Sequence, residues 1–270
     1  MRHVHSVARR TVLLCALIGL SAGVGRADHL FAITGPQAPR LERVDPVTGI
    51  ALTSTAFPAG VTLSGLCADG AELLSIDGLD DNISDRLFRI TPLSGAGSVL
   101  GNTLFNWSQR SCDVHLPSNT VYAITDTPGP TPRLFRIDRS TGTATLVATS
   151  AFVPGLDQVT ALAISPSGAA YVSDLGNTSL FRIDLVTGAL TFVGDSGPIG
   201  ASDGFSDLAF DSMGRLWGVR GQGGLYRIDT DTAVASKVAN SARWSGIAFV
   251  PEGVVAAERT SWSRLKQLYR

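Results

Sequence analysis

One phrase recurs along this chain and restricts its fold more than any other feature. Leu134-Phe-Arg-Ile-Asp138 runs into Arg-Ser-Thr141-Gly142, and Leu180-Phe-Arg-Ile-Asp184 runs into Leu-Val-Thr187-Gly188. The pattern also stands at Leu41-Glu-Arg-Val-Asp45 before Thr48-Gly49, at Leu87-Phe-Arg-Ile90 before Ser94-Gly95, and at Leu225-Tyr-Arg-Ile-Asp229 before Thr232-Ala233. The leading leucines are 46, 47, 46 and 45 residues apart. Five evenly spaced copies at that period signal a repeat architecture with the period of a propeller blade.

Within the phrase, large apolar and polar positions alternate, the signature of a half-buried strand. Asp opens a tight turn by accepting from backbone amides two residues on, and Gly takes the left-handed position that closes it. A second strand follows directly, as in Thr143-Ala-Thr-Leu-Val147. Two further strands fit ahead of each hairpin, for example Leu162-Ala-Ile164 and Ala170-Tyr-Val-Ser173 around the turn Pro166-Ser-Gly168. A ring of such blades must close or leave unpaired edges. Ser245-Gly-Ile-Ala-Phe249 matches Ser206-Asp-Leu-Ala-Phe210 and supplies the inner strand missing from the first blade, which begins at His29-Leu-Phe-Ala-Ile33. The expectation is an all-β, five-bladed β-propeller of four-stranded antiparallel blades over residues 28–257, closed by pairing of N- and C-terminal strands. Val254-Val-Ala-Ala257 competes with the segment at Leu30 for a place in the closing blade.

The phrase resembles that of bacterial exported β-propellers of the broad quinoprotein-dehydrogenase-like, YVTN and NHL-like group, and of secreted propellers of unknown function within it. The resemblance implies a propeller and an exported protein, and it spans nearly all of residues 28–257. Quinone-binding members place a tryptophan shortly after the Asp-x-x-Thr-Gly turn. Here that stretch reads Ile50-Ala-Leu, Thr143-Ala-Thr or Ala189-Leu-Thr, so no quinone and no other cofactor is expected. Propellers host many unrelated activities, so the fold does not name one.

Residues 1–27 read as a secretory signal peptide. Arg2, Arg9 and Arg10 precede the apolar run Val12 to Leu20, and Gly25 and Ala27 stand ready for cleavage before Asp28. The run is too short for a stable membrane anchor. The expected location is secreted, periplasmic or extracellular, with no transmembrane segment after cleavage. Four arginines and no acid lie in the signal, which leaves 18 basic and 23 acidic residues and a net charge of −5. A mildly acidic surface without basic clusters argues against nucleic acid. Cys67 and Cys112 remain after cleavage. They fall on inner strands of adjacent blades, where free thiols near the axis are favoured over a disulfide that export would permit.

Candidate chemistry is thin. Gly194-Asp-Ser-Gly-Pro198 looks like the nucleophile segment of trypsin-like proteases, but it lacks one glycine, and His29 and His115 lie in no matching motif. A turn is the better reading. Cys67, Cys112, Asp113 and His115 match no standard zinc spacing. Asp77, Asp80, Asp81, Asn82 and Asp85 form an acidic loop without the alternation of a calcium-binding hand, so a solvated hairpin loop is expected. Arg43, Arg89, Arg136, Arg182 and Arg227 recur at one repeat position and are read as structural, pairing with turn carboxylates.

The linkers that enter the inner strands converge on one face of a propeller. They carry Trp107, Arg110, Asp157, Gln158, Asp203, Asp207, Arg243 and Trp244. Aromatic faces beside carboxylates and guanidinium groups suit a small polar ligand, a glycan or a protein. The expected function is therefore a non-enzymatic binding or scaffold module with no metal centre. The alternative is a metal-dependent, lactonase-like hydrolase or lyase using Asp157, Asp203 and Asp207. Residues 258–270 form a basic, aromatic tail in which Trp262, Leu265 and Tyr269 share a helical face, suited either to surface association or to capping the propeller.

Overall fold

We describe a computed structural model of the chain. It describes residues 28–252, except 36–38, 58–60, 78–84, 105–109, 126–131, 151–157, 175, 177 and 198–203. The signal segment, most of the acidic loop, the Val254–Ala257 segment and the basic tail therefore lie outside the described residues.

The chain opens with β1 (His29–Thr34), β2 (Arg40–Val44) and β3 (Ala51–Ala56). Blade 1 follows as β4 (Leu63–Asp69), β5 (Glu72–Asp77), β6 (Arg86–Ile90) and β7 (Gly97–Asn102). Blade 2 is β8 (Arg110–His115), a 3-10 turn at Leu116–Ser118, β9 (Thr120–Thr125), β10 (Arg133–Ile137) and β11 (Ala144–Thr149). Blade 3 is β12 (Val159–Ile164), β13 (Ala170–Asp174), β14 (Ser179–Ile183) and β15 (Leu190–Asp195). Blade 4 is β16 (Phe205–Phe210), β17 (Leu216–Arg220), β18 (Leu225–Ile228) and β19 (Ala235–Ala239). Last comes β20 (Trp244–Val250), which pairs antiparallel with β1, Leu30 opposite Phe249 and Ala32 opposite Ile247. Blade 5 is thus β20-β1-β2-β3, and the expected closure holds.

The five inner strands β4, β8, β12, β16 and β20 are neighbours in that order, and β20 packs on β4. They surround one axis. Strand direction alternates, so the turns after the first and third strands of each blade share one face, here the turn face. The inter-blade linkers share the opposite, linker face.

The recurring phrase acts as the sequence predicts. Asp184 Oδ1 accepts from the Val186 and Thr187 amides at 2.8 Å each, and the Gly188 amide donates to the Asp184 carbonyl at 2.8 Å. Asp45, Asp138 and Asp229 repeat the arrangement. The closing glycines have a second task. A Cβ on Gly142 (φ +72°) would stand 2.5 Å from the Gly101 carbonyl carbon on the preceding blade. Each turn thus abuts the outer strand of its neighbour. At the one turn closed by alanine, Ala233 (φ 63°), the facing residue is Gly194.

The core is divided in the same fivefold way. Five apolar clusters each occupy one seam between adjacent blades, for example Leu74, Ile76 and Leu87 of blade 1 against Val114, Val121 and Phe135 of blade 2. Burying each such side chain contributes about 1.5–3 kcal/mol. Three of the repeat arginines make structural contacts, with partners that differ from those expected. Arg89 pairs with Glu72 at 2.9 Å, Arg43 bonds His29 Nδ1 at 3.1 Å, and Arg227 lies over the Trp217 ring at 5.0 Å. None of these three partners is a turn carboxylate. The register explains this, since Arg43, Arg136, Arg182 and Arg227 stand opposite Phe31, Tyr122, Tyr171 and Trp217 on the second strand.

Candidate functional site

The axis is organised in layers. Aligning the inner strands places Gly65, Ser111, Ala161, Asp207 and Gly246 at one level. Four are small and one is an aspartate. Asp207 fills the space the others leave. Its Oδ2 accepts from the Leu66 amide at 3.1 Å and the Ile247 amide at 2.9 Å, and its Oδ1 accepts from Ser111 Oγ at 2.9 Å. Ser111 Oγ in turn accepts from the Leu162 amide at 3.1 Å. One carboxyl on blade 4 thereby ties blades 1, 5 and 2 directly and blade 3 through a hydroxyl. The group is fully buried. Burial is the largest influence and outweighs the hydrogen bonds, so its pKa rises to about 8.

The next level towards the turn face holds Cys67, Asp113, Ala163, Ala209 and Ala248. Four of them are alanine or cysteine, too small to fill the channel. A pocket of about 140 Å³ remains, whose walls include Leu66, Cys67, Val114, Ile164, Leu208 and Phe249. Asp113 is half-buried in its wall, and its Oδ1 and Oδ2 accept from the Val114 and Ile164 amides at 2.7 and 2.6 Å. Burial again dominates and lifts its pKa to about 7. Asp211 also borders the pocket, but Arg215 Nε (2.5 Å) and Trp217 Nε1 (2.8 Å) engage its Oδ2. Asp69 nearby is held by Arg139 Nη1 at 2.6 Å. Among the described residues, no cation pairs with Asp113.

Cys67 and Cys112 are unbonded and buried, their sulfurs 3.2 Å apart. Burial first, and then the contact with Cys112, push the Cys67 thiol well above its ordinary range, so it stays protonated. Ser196 of the protease-like segment is buried, and its hydroxyl donates to the Thr178 carbonyl at 2.6 Å, an internal brace rather than a nucleophile. Among the described residues, no three His, Cys, Asp or Glu side chains converge as a metal site would require.

The eight linker residues singled out by sequence do not form one described constellation. Trp107, Asp157 and Asp203 lie outside the described residues, as does the side chain of Arg110. The Gln158 amide donates to Asp174 Oδ1 at 3.1 Å, and Arg243 Nη2 donates to Gln222 Oε1 at 3.1 Å on the linker face. Asp207 and Trp244 serve the interior. The Trp244 ring is buried and its Nε1 donates to Glu42 Oε2 at 3.0 Å, bracing β20 against β2. The pocket opens on the opposite face. Strand pairing, not the residue order, sets Asp113 level with Cys67, Ala163, Ala209 and Ala248, so sequence reasoning had no signal for it.

A search of curated proteins finds no match for this sequence. Among solved structures, it is similar to a chain of a nidogen/laminin complex, at 11% identity and a TM-score of 0.53, covering 83% of this chain and 98% of that one. It is also similar to TolB from Acinetobacter baumannii, at 10% identity and a TM-score of 0.52, covering 79% of this chain and 53% of that one. The present chain thus spans about half of that TolB. Likeness at such identity shows the fold alone. Residues 115–250, half of the chain, match the family model described as "Repeat of unknown function". With its five-bladed repeat, this chain is a β-propeller that belongs to that family, the Repeat of unknown function (DUF6923).

Proposed function

We propose that this chain is an exported, non-enzymatic binding module that takes its ligand at the turn-face mouth of its channel. The pocket carries the reading. Five inner strands converge on it, its walls are mostly apolar, and the Asp207 hub lies one layer deeper along the axis. An apolar cavity with one placed polar group is the ordinary form of a small-ligand site. Export rests on the basic start and apolar run of residues 1–27. The metal-dependent alternative draws no support from Asp207, whose oxygens already face two amides and a hydroxyl.

The test is a fragment screen by ligand-observed NMR with a blocked variant as control. Ala68 lies at the pocket mouth, and Ala68→Leu narrows it without touching the Asp207 hub. Genuine pocket ligands should raise the melting temperature of the native protein and lose at least about tenfold in affinity in the variant, about 1.4 kcal/mol. Fragments that bind both proteins alike would place the binding site elsewhere.

A further inference from the structure

We propose that the turn-face pocket selects a compact organic cation, a protonated amine on an apolar body of benzene-like size, with the Asp113 carboxylate as its counter-ion. The inference rests on the reading above that this pocket is the binding site, and adds the chemical class of the ligand.

Size is the first argument. An apolar cavity of about 150 Å³ is known to hold a benzene-sized molecule, and this one measures about 140 Å³. The walls contributed by Leu66, Val114, Ile164, Leu208 and Phe249 suit an apolar body of that size.

Charge is the second argument. Asp113 accepts one hydrogen bond at each oxygen, from Val114 and Ile164, and a carboxylate oxygen has room for a second donor. Its neighbours supply none. Cys67 on the adjoining wall is a protonated thiol, and Tyr122 stands opposite on β9. His115, two residues along β8, has its Nδ1 at 2.6 Å from Ser118 Oγ. The acids at the rim carry their own cations, Asp69 with Arg139 and Asp211 with Arg215. Asp207 lies one layer deeper with both oxygens engaged. An ammonium arriving from solvent therefore finds one unneutralised carboxylate in apolar surroundings, where a charge-assisted hydrogen bond is stronger than in water.

A third argument is linkage. A carboxyl that titrates near 7 is only partly ionised at neutral pH. An amine that binds the carboxylate must pull the proton off, so affinity should fall about tenfold for each pH unit below about 7. A neutral ligand of the same shape should show no such slope.

The experiment compares benzylamine, benzyl alcohol and benzoate as probes, by calorimetry or NMR titration at about pH 5.5, 7 and 8.5, where the amine stays protonated. The expected result is that benzylamine binds best and weakens with acid as stated. Asp113→Asn, which keeps an oxygen for a backbone amide, should lose at least about tenfold for benzylamine and little for benzyl alcohol. Ala68→Lys, which brings an ammonium to the rim, should abolish amine binding even if the Asn variant folds poorly. If benzyl alcohol binds as well as benzylamine, with no pH slope, the amine inference falls while the pocket reading stands. If none of the probes binds and none of the fragments in the screen does either, both fall together.

Discussion

Asp207 offers the most direct test of how the channel holds the blades together. Unfolded, its carboxyl ionises near the usual 3.8; folded, it keeps its proton to about 8. Between those values the folded state binds more protons than the unfolded one, so stability must fall as pH rises. The slope approaches about 1.4 kcal/mol per pH unit, and the full window amounts to roughly 6 kcal/mol. Asp207→Asn removes the titration but keeps the geometry. Its carboxamide oxygen accepts from Leu66 and Ile247 as Oδ2 does, and its NH2 donates to Ser111 Oγ, which has a free lone pair. This variant should lie within about 1 kcal/mol of the native protein near pH 4.5 and exceed it by several kcal/mol near pH 8.5. Asp207→Ala instead strands two buried amides and one hydroxyl. At about 1–3 kcal/mol for each buried group left without a partner, it should cost roughly 3–9 kcal/mol even at pH 5. Urea unfolding followed by tryptophan fluorescence across about pH 4.5 to 8.5 measures all three proteins. Asp113 adds its own slope below about 7 to each of them, so the decisive quantity is the difference between native and Asn curves. Parallel curves from pH 5 to 8.5 would refute the reasoning, because they would mean that Asp207 is ionised in the folded channel.

Other predictions follow from the same geometry. Gly142→Ala forces a Cβ to 2.5 Å from the Gly101 backbone at φ +72°, and the left-handed strain plus overpacking should cost about 2–4 kcal/mol in urea unfolding. The turn carboxylates of Asp138, Asp184 and Asp229 sit below their usual range because hydroxyl and amide donors stabilise the charged form. Their contribution is present above the unfolded pKa and lost as pH falls through the folded one, so acid below about pH 4 should lower the melting temperature. With the opposite slope from Asp113 and Asp207 above that range, these groups together should place the stability maximum near pH 4. Cys67 and Cys112 should resist maleimide in the native protein and react fully in urea, as mass spectrometry would report, because both thiols are buried.

Much of the architecture was legible in the chain. Leu-Phe-Arg-Ile alternates with period two, and Asp-x-x-Thr-Gly closes a turn through bonds that reach no further than four residues. Such signals are local, and five copies of them average out the ambiguity of each one. The match of Ser245-Gly-Ile-Ala-Phe249 to Ser206-Asp-Leu-Ala-Phe210 even located the closing strand. The site was less legible. The emphasis on the linker face drew in Asp207 and Trp244, which the fold turns inward. The pocket lies at the other end of the channel, bordered by Asp113 and by residues chosen for being small.

The sequence by itself determined how many blades there are, which strands make each one, and where the ring joins. These are properties of short segments, set by the side-chain period and the conformational preferences of turn residues. Only the tertiary structure decided what the axis contains. Asp207 meets Leu66 across 141 positions and Ser111 across 96. Whether a polar side chain at such a position faces solvent, a ligand or the backbone of another blade depends on which residues the ring brings opposite it. One aspartate among four small residues becomes a plug, and the small residues of the next layer leave a cavity, because the space at an axis is shared by all five strands and belongs to none of them.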